Sequence, residues 1–217
     1  MVKRIRIAAS LAAAPFDHLK ETIRVLEDVG VDMIHFDIED GIFVPMITLG
    51  TAIIRGLRPF TQLPFDVHLM MQNPDWLIKE LADDGANIIT VHAEACAYPK
   101  RTLNLIKQTG CKAGLALNPF TSLPNLDYLL SSLDVLMILT TEPEYPNAKL
   151  LLPVLDKIKD AHNKWPDLEI EVDGGINFNN IANVITTGAT ILVSGRSIFE
   201  DNQIFNNVTK LQRIIKR

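Results

Sequence analysis

Cysteine is scarce: Cys96 and Cys111 are the only two in 217 residues. They form neither a CxxC pair nor a zinc-finger spacing, so a disulfide framework is not expected, and two free thiols in a reducing compartment are. No apolar run is long enough to span a bilayer, so no membrane partner is expected. The segment Met1-Val2-Lys3-Arg4-Ile5-Arg6 starts basic, but the apolar run behind it is short and is broken by Pro15, Asp17 and His18. That is not the pattern of a secretory leader, and the expected compartment is the cytoplasm. Basic residues are in deficit, with 21 Lys and Arg against 26 Asp and Glu, for a net charge of -5. An acidic chain is a poor partner for a phosphate backbone, so nucleic acid is not expected. A small anionic substrate at a locally positive site stays open. No composition break or Pro/Gly/Ser linker divides the chain, and residues 1–217 read as one domain.

What is present is ordinary for a globular protein: 47% apolar and 22% charged residues, enough for a sizeable core at this length. The organisation is an alternation. Short β-branched apolar runs stand at Ile5–Ala9, Met33–Asp37, Phe65–Leu69, Ile88–His92, Ala113–Leu117, Val135–Leu139, Glu169–Val172 and Ile191–Ser194. Between them lie stretches with helical spacing, such as Phe16–Val29, Asp75–Asp84, Leu150–Asn163 and Asn202–Lys216. Near-continuous apolar strands indicate a sheet covered on both faces. Strand–helix alternation indicates parallel pairing through right-handed crossovers. Eight such units in a chain of this size fit an α/β fold of the closed (β/α)8 TIM-barrel type. An open doubly wound sheet is the alternative, but the G-x-G-x-x-G turn expected after its first strand is missing: Ser10-Leu11-Ala12-Ala13-Ala14-Pro15 holds no glycine. Gly30, Gly85, Gly110 and Gly188 stand where helices should stop before the next strand.

In a parallel barrel the chemistry sits at the C-terminal ends of the strands. Strand two ends in His35-Phe36-Asp37-Ile38-Glu39-Asp40-Gly41, and alternation puts His35, Asp37 and Glu39 on one face. Strand three puts Asp66, His68 and Met70 on one face, and Asp173 stands where strand seven gives way to Gly174-Gly175. Ionisable groups pointing into a barrel are costly to bury without partners, and a metal ion removes that cost. Two imidazoles and two carboxylates, His35, Asp37, His68 and Asp173, suit one divalent ion such as Zn²⁺, Mn²⁺, Fe²⁺ or Co²⁺. From spacing alone, each could equally be a hydrogen-bonded core or loop residue.

At these residues the sequence resembles the ribulose-phosphate 3-epimerase family over nearly its whole length. The resemblance is carried by Ile7-Ala8-Ala9-Ser10-Leu11, His35 to Pro45, Asp66-Val67-His68-Leu69-Met70, Val91-His92-Ala93-Glu94, Leu117-Asn118-Pro119-Phe120-Thr121 and Glu171-Val172-Asp173-Gly174-Gly175-Ile176, in family order. It implies a barrel, a metal held by His35, Asp37, His68 and Asp173, and Asp37 and Asp173 as the acid/base pair. Such a pair can remove a proton from one face of the carbon beside a carbonyl and return it on the other. The intermediate is an enediolate whose charge a metal would stabilise. The resemblance also implies substrate contacts at Ser10, His68 and Met70, a small phosphorylated sugar as partner, and a homo-oligomer. Gly174 and Gly175, with Ser194-Gly195-Arg196-Ser197 after strand eight, match the barrel phosphate site.

Two departures bear on function. The family usually carries methionine where this chain has Glu39, and Leu139 replaces another apolar contact. Glu39 could bind the ion, raise the pKa of an aspartate by repulsion or hydrogen-bond a different substrate; alternatively it turns away to pair with a lysine or arginine. After strand six the family has a glycine-rich loop, where this chain has Glu142-Pro143-Glu144-Tyr145-Pro146-Asn147-Ala148. Backbone N–H groups approach a substrate best through glycines, and Pro146 removes a donor. Arg196, where the family often has a small residue, is a natural phosphate ligand that could compensate; the alternative is a surface pair with Glu200. His92 and Glu94 either line the pocket or serve as structural hydrogen-bonding groups, and Asn118 either reaches substrate or fixes a loop. His18 and His162 read as solvated, and Lys3, Arg4 and Arg6 as an exposed basic start.

The expectation is thus a metal-dependent epimerase inverting C3 of a ketose phosphate, with D-ribulose 5-phosphate as the default substrate. The alternatives are another ketose phosphate such as allulose 6-phosphate, or a non-catalytic barrel that binds metal or sugar phosphate. A decarboxylase resembling orotidine monophosphate decarboxylase would need a lysine in Asp-x-Lys-x-x-Asp, and Asp37-Ile38-Glu39-Asp40-Gly41 has none.

Overall fold

The apolar runs become eight parallel strands: β1 (Arg6–Ser10), β2 (Met33–Glu39), β3 (Phe65–Met70), β4 (Ile88–His92), β5 (Lys112–Leu117), β6 (Val135–Leu139), β7 (Glu169–Asp173) and β8 (Ile191–Ser194). They close in sequence order, β8 pairing with β1. The structure, a computed structural model, describes residues 3–143 and 148–216. The expected closed barrel is therefore present, and the open sheet is not. Of the glycine-free segment after β6, residues 144–147 lie outside the described residues.

Two apolar layers hold the ring. Outward side chains such as Phe36, Val67, Leu69, Leu115, Ile138 and Val172 pack under the helices in one large buried cluster. Inward, the first residues of the even-numbered strands, Met33, Ile88, Val135 and Ile191, join Ala8 and Val193 in a second cluster at the N-terminal end of the barrel. Four side chains from alternate strands are the usual filling of such a barrel. A sheet covered on both faces asks for apolar side chains at successive positions, one set outward and one inward, which is why these strands lack the polar alternation of a half-exposed sheet.

The helices are α1 (Leu19–Val29), α2 (Thr51–Leu57), α3 (Ile78–Asp83), α4 (Pro99–Gln108), α5 (Val154–Lys164), α6 (Ile181–Ile185), α7 (Arg196–Phe199) and α8 (Ile204–Ile215). Helix α1 buries Ile23 and Leu26 and stops at Gly30, whose φ of 79° is left-handed. Gln212 of α8 donates through Nε2 to the carbonyls of Val29 and Gly30. The chain's last helix thus satisfies carbonyls that the end of its first would leave orphaned. Gly85, Gly110 and Gly188 are left-handed as well, as expected. The β5–β6 connection departs from a regular alternation. Its only described helical piece is a 3₁₀ turn at Leu130–Ser132, because Pro119 and Pro124 lie in it and proline breaks helical pairing.

Two expectations are corrected. His162 is half-buried, not solvated: it lies so close over Gly188 that a Cβ there would come within 2.2 Å of the ring. Of the expected exposed basic start, Arg4 is exposed, whereas Lys3 and Arg6 are half-buried. Lys3 donates to the carbonyls of Asp167 and Leu168, Arg4 pairs with Asp32 and Arg6 with Glu169, tying the start of the chain to β7 and to the residue before β2 at the barrel floor. His18 is exposed, as expected. No helix among the described residues is long and apolar enough to cross a membrane.

Candidate active site

The strands that are apolar at the floor turn polar toward their C-terminal ends. Two residues beyond Met33 lies His35, then Asp37; β3 contributes Asp66 and His68, β4 contributes Thr90 and His92, and β7 contributes Glu171 and Asp173. All but Asp173 are buried. One donor atom from each of His35, Asp37, His68 and Asp173 lies within 4.8 Å of the other three. Asp37 Oδ1 is 3.1 Å from His35 Nε2 and 3.1 Å from His68 Nδ1, and Asp173 Oδ2 is 4.0 Å from His68 Nδ1. Ligand bonds of about 2.0–2.1 Å around a tetrahedral ion put neighbouring donors roughly 3.3 Å apart. The donor set and its spacing therefore fit a divalent cation with imidazole and carboxylate ligands.

Without the ion, protons take over its electrostatic role. Burial works against a charge on His35, but Asp37 and Asp66 lift its pKa well above the ordinary histidine value. Burial likewise opposes the Asp37 carboxylate, yet His35 and His68 hold its pKa far below the ordinary range. Asp173 moves the other way: burial and the Asp37 charge push its carboxyl up to about 7. The two carboxyls of one cluster are thus pushed apart in acidity, Asp37 down and Asp173 up, the pattern of paired acid/base groups.

Beneath this cluster is a second one. His35 Nδ1 lies 2.7 Å from Asp66 Oδ2, so the ring donates there and turns Nε2 toward Asp37. Glu171 Oε1 is 3.7 Å from the same Nδ1. Burial, then the Asp66 charge, raises the Glu171 pKa well above the carboxylate range, and a protonated Glu171 leaves a single negative charge to be shared with Asp66. Asp66 and His68 share a face, as alternation indicates; the participation of Glu171 had no signal beyond its place two residues before Asp173.

On the other flank, His68 Nε2 lies 2.9 Å from His92 Nε2, and His92 Nδ1 lies 3.1 Å from Glu94 Oε2. Glu94 Oε1 accepts from the Asn118 backbone N–H and from the Thr121 hydroxyl. Burial opposes its charge, but His92, Thr121 and Asn118 hold it at about 2. Burial pushes His92 down to about 4. The His92 and Glu94 side chains are thus hydrogen-bonded to the pocket's rim, and Asn118 is held through its backbone, its N–H donating to Glu94 and its carbonyl accepting from Lys157.

The remaining candidates fall around the rim. Ser10 Oγ donates to Asp37 Oδ2 at 3.0 Å. Met70 is buried, and Glu39 is buried beside it in the β2–β3 register. Gly174 has a φ of 106°, and a Cβ on it would lie 2.5 Å from Thr141 Oγ1, so only glycine lets β7 turn against the end of β6. Ser197 Oγ donates to the Ile176 carbonyl, joining the turn after β8 to the turn after β7. That places Gly175 and Gly195 on adjacent turns. Arg196 is exposed and donates to the Ala148 carbonyl at 2.8 Å, bridging to the segment after β6. Asp40 accepts the N–H groups of Ile42, Phe43 and Gln72 and so shapes the loop after β2.

A model described as the ribulose-phosphate 3 epimerase family matches residues 6–199. The ribulose-phosphate 3-epimerase of Bacillus subtilis (strain 168) is 43% identical over 200 residues, covering 90% of this chain and 92% of that protein. That of Escherichia coli (strain K12) is 38% identical over 204 residues, covering 92% and 91%. Among solved structures, KGPDC from Streptococcus mutans superposes with a TM-score of 0.74 at 14% identity over 99% of both chains. The tryptophan synthase α-subunit of Pyrococcus furiosus does so with a TM-score of 0.71 at 14% identity, over 98% of this chain and 100% of that one. At such identities the structural likenesses speak for the barrel alone.

Proposed function

Because this chain belongs to the ribulose-phosphate 3-epimerase family, and by that membership is an isomerase, we propose that it inverts C3 of a ketose phosphate, with D-ribulose 5-phosphate to D-xylulose 5-phosphate as the default reaction. The observation that carries this reading is the pair of carboxyls, Asp37 from β2 and Asp173 from β7, brought into one cluster with their acidities pushed in opposite directions. Epimerisation beside a carbonyl needs a base on one face of the carbon and an acid on the other. The ionised carboxyl takes the C3 proton; the protonated one delivers a proton to the opposite face; the return reaction exchanges the roles.

His35, Asp37, His68 and Asp173 would hold one Zn²⁺, Mn²⁺, Fe²⁺ or Co²⁺. The ion would supply positive charge to the oxygens of an enediolate. Ser10 orients Asp37 through its hydroxyl and stands ready to contact the sugar. Met70 forms apolar wall over the reacting carbons. The phosphate is assigned to the turns after β7 and β8, where Gly174, Gly175 and Gly195 let backbone N–H groups approach an anion. Arg196 spends one of its five donors on Ala148 and keeps the others for phosphate.

A second reading is favoured by Glu39. Where the family usually carries methionine this chain has a buried carboxyl at the mouth of β2, and a site altered there suits another ketose phosphate such as allulose 6-phosphate. The test is incubation with ribulose 5-phosphate and allulose 6-phosphate in deuterated water with each metal. The expected result is one deuteron at C3 and formation of the epimer, both lost in Asp173→Asn. No exchange on either sugar with any of the four ions would overturn the reading in favour of a barrel that binds without turnover.

A further inference from the structure

We infer that Asn118 is a specificity residue of the proposed reaction: its side-chain amide, at the end of β5, receives the C1 hydroxyl of the ketose phosphate, at the end of the sugar remote from the phosphate. The inference rests on the reading of the site as that of a ketose phosphate epimerase, and it concerns a residue outside both the metal cluster and the phosphate turns.

The backbone of Asn118 is tightly held. Its N–H donates to Glu94 Oε1 at 2.8 Å, and its carbonyl accepts from Lys157 Nζ at 2.9 Å and from the Thr121 N–H at 3.1 Å. Pro119 follows, and the residue before a proline is kept in extended backbone. The alternation of β5 therefore continues past Leu117, its last residue. Ala116 faces the barrel interior, where it packs with Met137 and Leu139, so Asn118, two residues on, faces the mouth. None of the backbone bonds uses the Asn118 side chain, which is left for another task.

That side chain carries an unmet demand. Asn118 Oδ1 is buried and has no hydrogen-bond partner among the described residues. Turning the amide over would put Nδ2 in the same place and leave a buried donor unmet instead. A hydroxyl answers either atom, because it both donates and accepts. Thr90 Oγ1 is likewise buried without a partner, but it is closed in: Thr90 has no exposed surface, and a Cβ on Gly114 would lie 2.1 Å from that oxygen. Asn118 is only half-buried, so a ligand can reach it.

The ring order of the strands decides which part of the sugar meets this amide. Strands β4 and β5 close the side of the mouth across from β8 and β1, and the phosphate is assigned to the turns after β7 and β8. A 2-ketose with its phosphate there, and with C2 and C3 over His35, Asp37, His68 and Asp173, sends C1 toward the β4–β5 side. Inverting C3 leaves C1 untouched, so one contact serves both epimers and the enediolate between them. Binding energy that is equal in ground and transition states lowers KM without raising kcat.

The test compares D-xylulose 5-phosphate with its 1-deoxy analogue on the Co²⁺-loaded full chain and on Asn118→Leu, which keeps the branching of the side chain and every backbone bond. The unsubstituted protein should prefer the sugar that has the C1 hydroxyl. In Asn118→Leu the ratio of kcat/KM between the two sugars should shrink about 10–100-fold, through KM rather than kcat. The variant should melt no lower than the parent, because it loses an unpaired buried atom and not a bond. An unchanged ratio overturns the assignment, and so does an equal loss on both sugars, which would make Asn118 a support of the loop. If the unsubstituted protein epimerises neither sugar, the epimerase reading falls, and the same comparison made on dissociation constants decides the assignment; binding of neither sugar overturns both.

Discussion

The floor and the mouth of this barrel are built by the same strands a few residues apart, and they obey opposite rules. At the floor Met33, Ile88, Val135 and Ile191 meet as hydrocarbon. One or two inward steps higher, the same β2 and β4 carry His35, Asp37, Thr90 and His92, all buried. Strand β6 stays apolar throughout, with Met137 and Leu139 in a small cluster with Ala116. Since alternate residues share a face, one strand can hold the fold with its first inward residue and present chemistry with its later ones. The floor is expected to govern stability and the mouth to govern rate.

The largest effect that would break this division concerns the mouth. Asp173→Asn should lower kcat/KM on the accepted ketose phosphate by about 10²–10⁴-fold, the range of a positioned acid or base, while the metal-free protein melts no lower than the parent. A variant that loses activity only in proportion to unfolded material would show that Asp173 is structural. At the floor the converse holds. Ile88 is 3% exposed, and Ile88→Ala should cost about 2–5 kcal/mol in denaturant unfolding while the folded fraction keeps its kcat/KM within a few-fold.

Acidity sharpens the comparison further. Asp173 in the folded, metal-free protein titrates at about 7, against about 3.9 for an unperturbed aspartate. Between these values the folded protein holds a proton that the unfolded chain has released. Its contribution to stability is therefore fully present below about pH 4 and is lost as pH rises through about 7. The melting temperature of the metal-free protein should fall more steeply over that interval than that of Asp173→Asn. Metal uptake needs the carboxylate, so Zn²⁺ affinity should climb toward neutral pH and binding should release protons. Calorimetry in buffers of different ionisation enthalpy would measure that release. A smaller effect is expected at Glu39: Glu39→Met should shift the kcat/KM ratio between allulose 6-phosphate and ribulose 5-phosphate by about 10-fold toward the shorter sugar, near the low end of what one pocket contact supplies.

The floor was the more legible half. Strands buried on both faces are near-continuous apolar runs, and the eight of them stand out in the sequence. At the mouth, alternation along β2 and β3 placed His35, Asp37, His68 and Asp66 correctly, because spacing by two is a local property. What spacing along one strand cannot convey is which residues meet across the barrel. Nothing in the sequence links Glu94 to His68, because the link runs through His92 and is anchored by a loop from the next strand. Glu171 is hidden for the same reason: its partner, Asp66, is on a strand across the barrel. His162 reads as an exposed helical histidine until the path over Gly188 is known. Arg196 was expected to contact either a phosphate or Glu200, and its bond to the Ala148 carbonyl depends on where the segment after β6 returns.

The most direct test is diffraction from crystals of the Co²⁺-loaded protein at the cobalt absorption edge, because two buried clusters share His35 and only one of them holds both proposed acids. The expected anomalous peak lies on the Nε2 side of His35, bonded also to Asp37, His68 Nδ1 and Asp173. A peak on the Nδ1 side, between Asp66 and Glu171, or no peak in the barrel, would contradict the site described here.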